Sequence, residues 1–177
     1  GGGPGGAQGV AGASGWQGAR GGVGAGAKVT GVDRFDPYDD VALKESGIDT
    51  WRPDPRFIFE RADLADASAC TGLFAQRFDA IIHLAAQPGV RYSLVNPEAY
   101  VRNNLVASGH VLEGCRHGGV GHLAFASASS VYGANHVLAL SHDPPADHPV
   151  SLVSATNNSN AFVPSTATPQ YRLPRPR

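Results

Sequence analysis

Two short, nearly all-apolar runs bracket a stretch of helix length, and that alternation most limits what this chain can fold into. Residues 80–86 read Ala-Ile-Ile-His-Leu-Ala-Ala, and residues 122–127 read His-Leu-Ala-Phe-Ala-Ser. Runs of this kind suit strands buried on both faces of a parallel sheet. Between them, residues 97–117 predict a helix. Asn96 serves as N-cap and Pro97 fits the first helical position, where a missing N–H costs nothing. Tyr100, Leu105, Val111 and Leu112 supply an apolar side, and Gly118-Gly119 end it. Two earlier strand candidates are residues 28–33 and 57–63. Strands separated by helix-length segments imply right-handed βαβ units, so the fold class expected is α/β with a doubly wound, Rossmann-type parallel sheet.

Composition divides the chain into three zones. In residues 1–27 glycine stands at every third position from Gly3 to Gly24. Residues 28–152 look like an ordinary α/β domain, and residues 153–177 turn rich in Ser, Thr, Asn and Pro, as expected of loop or tail. A net charge of −1 with 16% charged residues offers no basic field for nucleic acid. No run is long and apolar enough for a membrane span, and no signal-peptide pattern is visible. Cys70 and Cys115 lack a CxxC spacing and read as buried thiols of a reducing compartment. The expectation is a soluble, cytoplasmic domain. The seven histidines never pair with carboxylates or cysteines at ligand spacing, so no metal site is expected.

In a doubly wound sheet, ligands bind at the carboxyl ends of the strands, where a glycine turn enters a helix. Gly9, Gly12 and Gly15 have a G-x-x-G-x-x-G spacing, and Asp33 follows at the end of the next strand. That carboxylate can accept the hydroxyls of an adenosine ribose and would repel a 2′-phosphate, favouring NAD. Asp63-Leu64, after the third strand, can bracket an adenine. Three readings of the glycine tract stay open: a degraded dinucleotide loop, a flexible leader, or a collagen-like repeat. The last is opposed by Pro4 being the tract's one proline. A first strand in residues 1–8 would have no β-branched residue. A helix after Gly15 would carry Gly18, Gly21, Gly22, Gly24 and Gly26, at a cost of about 4–5 kcal/mol relative to alanine. The first strand and helix therefore look degraded.

Residues 78–97, FDAIIHLAAQPGVRYSLVNP, resemble the extended short-chain dehydrogenase/reductases, in particular the UDP-glucuronate 4-epimerases. The likeness continues through Asn104, Leu112-Glu113-Gly114-Cys115-Arg116-His117, Ser129-Ser130-Val131-Tyr132-Gly133 and Asp147-His148-Pro149-Val150-Ser151-Leu152. It covers about residues 28–152. The resemblance implies an NAD-dependent isomerase acting on a UDP-sugar. NAD takes a hydride from C4, a tyrosine takes the hydroxyl proton, and the hydride returns to the other face of a 4-keto sugar. A lysine four residues after the tyrosine lowers its pKa from about 10, and a Ser or Thr hydroxyl orients the sugar. The resemblance also implies cofactor contacts from Leu84, Ala85, Ala86 and Asn104, and it leaves a homodimer open.

The catalytic positions depart from the family. Where it has Y-A-A-T-K, this chain has Val153-Ser154-Ala155-Thr156-Asn157, and Ala128 stands at the hydroxyl position. No catalytic residue is therefore assigned, with Ser127 and Ser129 as possible remnants. Losing one general acid or base costs about 10²–10⁴ in rate, so the epimerase chemistry is expected to be absent. The alternatives are a catalytically silent dinucleotide or nucleotide-sugar binding protein, or a decayed gene product. Ser129 and Ser130 line a sugar pocket by the family pattern or simply satisfy the strand-end backbone. Arg91 meets an anionic substrate group or is a solvated surface arginine. Asp33 is a ribose ligand or a cap, and His83 a core histidine.

Overall fold

The computed structural model describes residues 5–8, 13–38, 40–126 and 155–156, with residues 5–8, 13 and 14 described by backbone alone. The elements run β1 (Gly5–Gln8), α1 (Ala13–Gly24), β2 (Val29–Asp33), α2 (Val41–Asp49), β3 (Phe57–Arg61), α3 (Ala67–Phe74) and β4 (Ala80–His83), then α4 (Tyr92–Val95), α5 (Pro97–Tyr100), α6 (Ala107–Gly118) and β5 (His122–Phe125). The five strands form one sheet in the order β3-β2-β1-β4-β5, and every pairing is parallel. The expected doubly wound α/β fold is what the chain adopts.

Two cores lie on opposite faces of the sheet. One joins Ala19 and Val23 of α1 and Ile48 of α2 to Val29 and Phe57. The other joins Cys70 and Leu73 of α3 and Val111 and Cys115 of α6 to Val32 and Ile81. Val29 and Val32 belong to different cores because side chains alternate along a strand. Cys70 and Cys115 are buried free thiols, as read from the sequence. Burial pushes their pKa values up to about 11 and about 12, which keeps both protonated and unreactive near neutrality.

Within the glycine-rich start, Gly5–Gln8 forms a strand and Ala13–Gly24 a helix. Gly5–Gln8 pairs residue for residue with Val29–Val32 on one side and Ala80–His83 on the other. Hydrogen bonds from two neighbours replace the missing side-chain preference, so the leader and collagen-like readings do not hold for these residues. Helix α1 also forms, but it stops at Gly24. Gly26 adopts φ +85, with Gly26 N–H bonded to Val23 O and Ala27 N–H to Gly22 O, a Schellman ending. Gly26 thus terminates the helix instead of weakening its interior. Gly22 is needed for packing, since a Cβ there would lie 2.9 Å from Val29 Cγ2.

Three strands end earlier than the sequence suggested. β3 ends at Arg61, β4 at His83 and β5 at Phe125. β4 matches β1 residue for residue, and its last residue, His83, lies opposite Gln8. The strand is not buried on both faces, because Ile81 and His83 are buried while Ile82 is 38% exposed. β5 is only half-buried, and among the described residues it pairs with β4 alone.

The predicted helix over 97–117 starts and stops where expected but is not uniform. Asn96 Oδ1 accepts the Ala99 N–H at 3.3 Å, and Gly119 closes α6 at φ +66. Between α5 and α6 the backbone runs as a π-helix, Val101–Val106. The wider turn shifts the buried stripe to Tyr100, Asn104, Ala107, Ser108, Val111 and Cys115. Leu105 and Leu112, expected on that stripe, are only half-buried. Among the described residues, no helix is long and apolar enough to cross a membrane.

Candidate nucleotide-binding crevice

The chain leaves β1 toward β2 and β3 on one side, then returns to β4 on the other. Such a reversal splays the connections apart at the strand carboxyl ends and opens a crevice. A cavity of about 350 Å³ lies there. Its walls are the ends of three strands: Val32 and Asp33 after β2, Asp63 and Leu64 after β3, and Leu84, Ala85 and Ala86 after β4. Gly15, in the first turn of α1, reaches the same cavity and is buried. Seven of the ten residues read from the sequence as cofactor contacts, Gly15 among them, are thereby brought together.

Asp33 has a fixed orientation. Its Oδ1 accepts the Phe35 N–H at 2.8 Å, so the carboxylate caps the turn as well as facing the cavity. Phe35 itself has φ +56, a left-handed conformation unusual for a bulky residue. The Phe59 ring at 5.2 Å and the Arg61 guanidinium at 5.2 Å from its ring hold it there. Asp63 is equally committed. Its Oδ1 accepts the Ala65 N–H at 2.9 Å, while Oδ2 pairs with Arg102 at 2.8 Å and Arg34 at 3.4 Å. The neighbouring Leu64 carbonyl is tied to His110 Nδ1 at 2.8 Å and Cys70 Sγ at 3.2 Å.

The loop after β4 is fastened from beneath and above. Asn104, 1% exposed, does not line the cavity; it accepts the Gln87 N–H on Oδ1 at 2.7 Å and donates from Nδ2 to Thr156 Oγ1 at 3.1 Å. The π-helix turns Asn104 inward to make these bonds, as such bulges often do beside functional sites. Tyr100 donates its hydroxyl to Pro88 O at 2.7 Å and also reaches Gly89 O. At Gly89, φ is +96, and a Cβ would collide with the Tyr38 hydroxyl. Glycine therefore lets Tyr38, its ring tilted against Tyr92 at 4.9 Å, lie against this loop.

His83 is a core histidine, as the sequence indicated. It is 2% exposed, its Nε2 is 3.0 Å from Ser108 Oγ, and its Nδ1 has no partner among the described residues. Burial lowers its pKa to about 4, so the ring is neutral near pH 7. Arg91 sits exposed ahead of α4, away from the cavity. Gly9, Gly12, Ser127, Ala128, Ser129, Ser130, Val153 and Asn157 lie outside the described residues. Among the described residues no three His, Cys, Asp or Glu side chains group as a metal site would require. Sequence reasoning missed Arg34, Asp36, Tyr38, Lys44 and Asn103 on the cavity wall. They approach it from connections whose paths no local pattern dictates, although Arg34 follows Asp33 directly.

Comparison with known proteins agrees with this geometry. The model of the NAD dependent epimerase/dehydratase family matches residues 8–156. An uncharacterised 37.6 kDa protein of Escherichia coli O111:H- is 42% identical over 151 residues, covering 85% of this chain and 45% of that protein. A probable UDP-glucuronate 4-epimerase of Rhizobium meliloti is 40% identical over 147 residues, covering 82% of this chain and 43% of that protein. Among solved structures, UDP-glucuronic acid 4-epimerase from Bacillus cereus, in complex with UDP-glucuronic acid and NAD, superposes with a TM-score of 0.80 at 29% identity. The superposition covers 92% of this chain and 51% of that one. The chain thus spans about half the length of the relatives it matches. By the span of the family match, residues 8–156 of its 177, the chain belongs to the NAD dependent epimerase/dehydratase family.

Proposed function

We propose that this chain binds NAD in the crevice and derives from nucleotide-sugar epimerases of the UDP-glucuronate 4-epimerase type, without carrying out their turnover. The observation that carries the reading is the convergence of Asp33, Asp63-Leu64 and Leu84-Ala85-Ala86 on one cavity at the sheet's reversal point. The donor set fits a dinucleotide. An acid at the end of β2 suits the adenosine ribose, apolar side chains of Leu64 and Leu84 suit flat ring faces, and the N-terminus of α1 suits a pyrophosphate. Gly9, Gly12 and Gly15 would hold that pyrophosphate. Bound NAD would supply a hydride acceptor to a sugar carbon.

The residues of this chain then orient and exclude water more than they react. Asn104 holds the Gln87 backbone at the crevice wall, and Tyr100 fixes the turn beyond it. A UDP-sugar would lie on the side of Arg91, Ser129 and Ser130, by likeness to relatives such as the Bacillus cereus enzyme, whose structure holds UDP-glucuronic acid and NAD. Val153 offers no titratable group and Asn157 no charge, so neither can take or steer a proton. The silent-binding reading rests on those two positions.

Calorimetric titration with NAD tests the reading directly. The chain should bind with a micromolar Kd, and Asp33→Ala should weaken binding by about tenfold or more, the loss expected when a charge-assisted hydrogen bond is removed. Absence of binding would remove the proposal. Conversion of UDP-glucuronate to UDP-galacturonate above the buffer rate would remove its silent half.

A further inference from the structure

We propose that Asp36 sets the choice between NAD and NADP by holding the Arg34 guanidinium against itself and Asp63, out of reach of a ribose 2′-phosphate. The inference rests on the NAD reading of the crevice. Arg34 follows Asp33 in sequence, and both line the cavity. An arginine in that place is the usual means of accepting a 2′-phosphate. Here it is already engaged at two nitrogens: Nη2 contacts Asp36 Oδ2, and Nη1 lies 3.4 Å from Asp63 Oδ2. The three side chains are only 25–28% exposed, so solvent screens these pairs less than it would on an open surface.

The two carboxylates hold Arg34 unequally. Asp63 is shared with Arg102, which is closer at 2.8 Å. Asp36 pairs with no second cation among the described residues, which leaves it as the anchor. With Asp36 in place, a 2′-phosphate would meet the carboxylates of Asp33 and Asp36 and an arginine already neutralised. Without it, Arg34 would keep only the weaker, shared contact and could turn to the phosphate. Lys44 faces the same cavity, so the role of Arg34 must be separated from that of a second cation.

The experiment compares Kd values for NAD and NADP in four proteins: the wild type, Asp36→Asn, Arg34→Gln and the double variant. Asparagine is chosen because it keeps the oxygen that accepts the Tyr38 N–H at 2.9 Å, so the turn is retained. The wild type should prefer NAD. In Asp36→Asn the affinity for NADP should rise by about tenfold, the scale of one additional charge-assisted hydrogen bond. Adding Arg34→Gln should abolish that rise. Damage to the fold would weaken both nucleotides and cannot imitate a rise for one.

An unchanged or weaker Kd for NADP in Asp36→Asn overturns the proposal. So does a rise that persists in the double variant, because loss of negative charge alone would then explain it. Equal binding of NAD and NADP by the wild type also overturns it. Failure of the wild type to bind NAD at all is a different result; it removes the cofactor reading, and this inference with it.

Discussion

Asn104 and Thr156, 52 residues apart, meet through a hydrogen bond of 3.1 Å from Asn104 Nδ2 to Thr156 Oγ1. The other end of the same amide accepts the Gln87 N–H at 2.7 Å. One buried side chain thereby joins the π-helix, the loop after β4, and the short helical turn that carries Thr156. That turn lies between positions 153 and 157, where relatives by resemblance carry their tyrosine and lysine.

Replacing Asn104 by leucine leaves the Gln87 N–H buried and unpaired. A buried donor without a partner costs about 1–3 kcal/mol, and the lost Thr156 contact adds about 1 kcal/mol. Asn104→Leu should therefore destabilise the chain by about 2–4 kcal/mol in urea unfolding, and weaken NAD in the same titration. Thr156→Ala, which removes the second contact and leaves the acceptor for Gln87 in place, should retain more of both. Equal damage from the two variants would show that the Gln87 contact is not what matters.

His83 makes stability depend on pH. Its pKa is lowered in the folded chain to about 4 by burial, against about 6.5 for an exposed histidine. Between those values the unfolded chain binds the extra proton, so stability rises with pH across this window and falls as pH drops from about 6.5 toward 4. The limiting slope is about 1.4 kcal/mol per pH unit. Above about pH 7.5 the residue is neutral in both states and contributes no slope. Denaturation series at about pH 7.5, 6.0 and 5.0 should show the loss, and His83→Gln should flatten it. An identical slope in His83→Gln would assign the effect to other groups.

The glycines of α1 should divide by what stands opposite them. Gly21 is exposed, and a Cβ there would meet nothing within 4 Å, so Gly21→Ala should stabilise by about 0.8–1 kcal/mol. Gly22→Ala should gain nothing or lose stability, since its Cβ would press on Val29, which is buried. In α6, Gly114→Ala should be the most damaging of the three, because its Cβ would fall on the Phe74 ring where α3 packs. Thermal melting of the three variants checks the order.

How much was legible before the fold was known differs from one element to the next. The Asn96 cap, the Gly119 stop and the burial of His83 follow from residues close in sequence, and each stands where the sequence put it. Asp33 could be placed at a strand end from its spacing alone. β1 could not be trusted on propensity, because Gly5-Gly6-Ala7-Gln8 has none to offer; its place in the middle of the sheet comes from ladders on both sides. The π-helix was hidden for a related reason. It serves bonds from Asn104 to Gln87 and Thr156, and neither partner is visible in a heptad-scale pattern.

By itself the sequence determined the parallel doubly wound sheet, the family, and that Val153 and Asn157 carry no titratable side chain. These depend on residue identity and near spacing, which any unfolded chain already displays. Only the tertiary structure decided where β4 ends, which face of the helix after it is buried, and that Arg34 is drawn to Asp36 and Asp63. The pairing of Arg34 with Asp63, like that of Asn104 with Thr156, spans strands and loops that meet only once the sheet has formed. A residue's nearest charge or hydrogen-bond partner in space is set by that packing, and the character of the crevice follows from it.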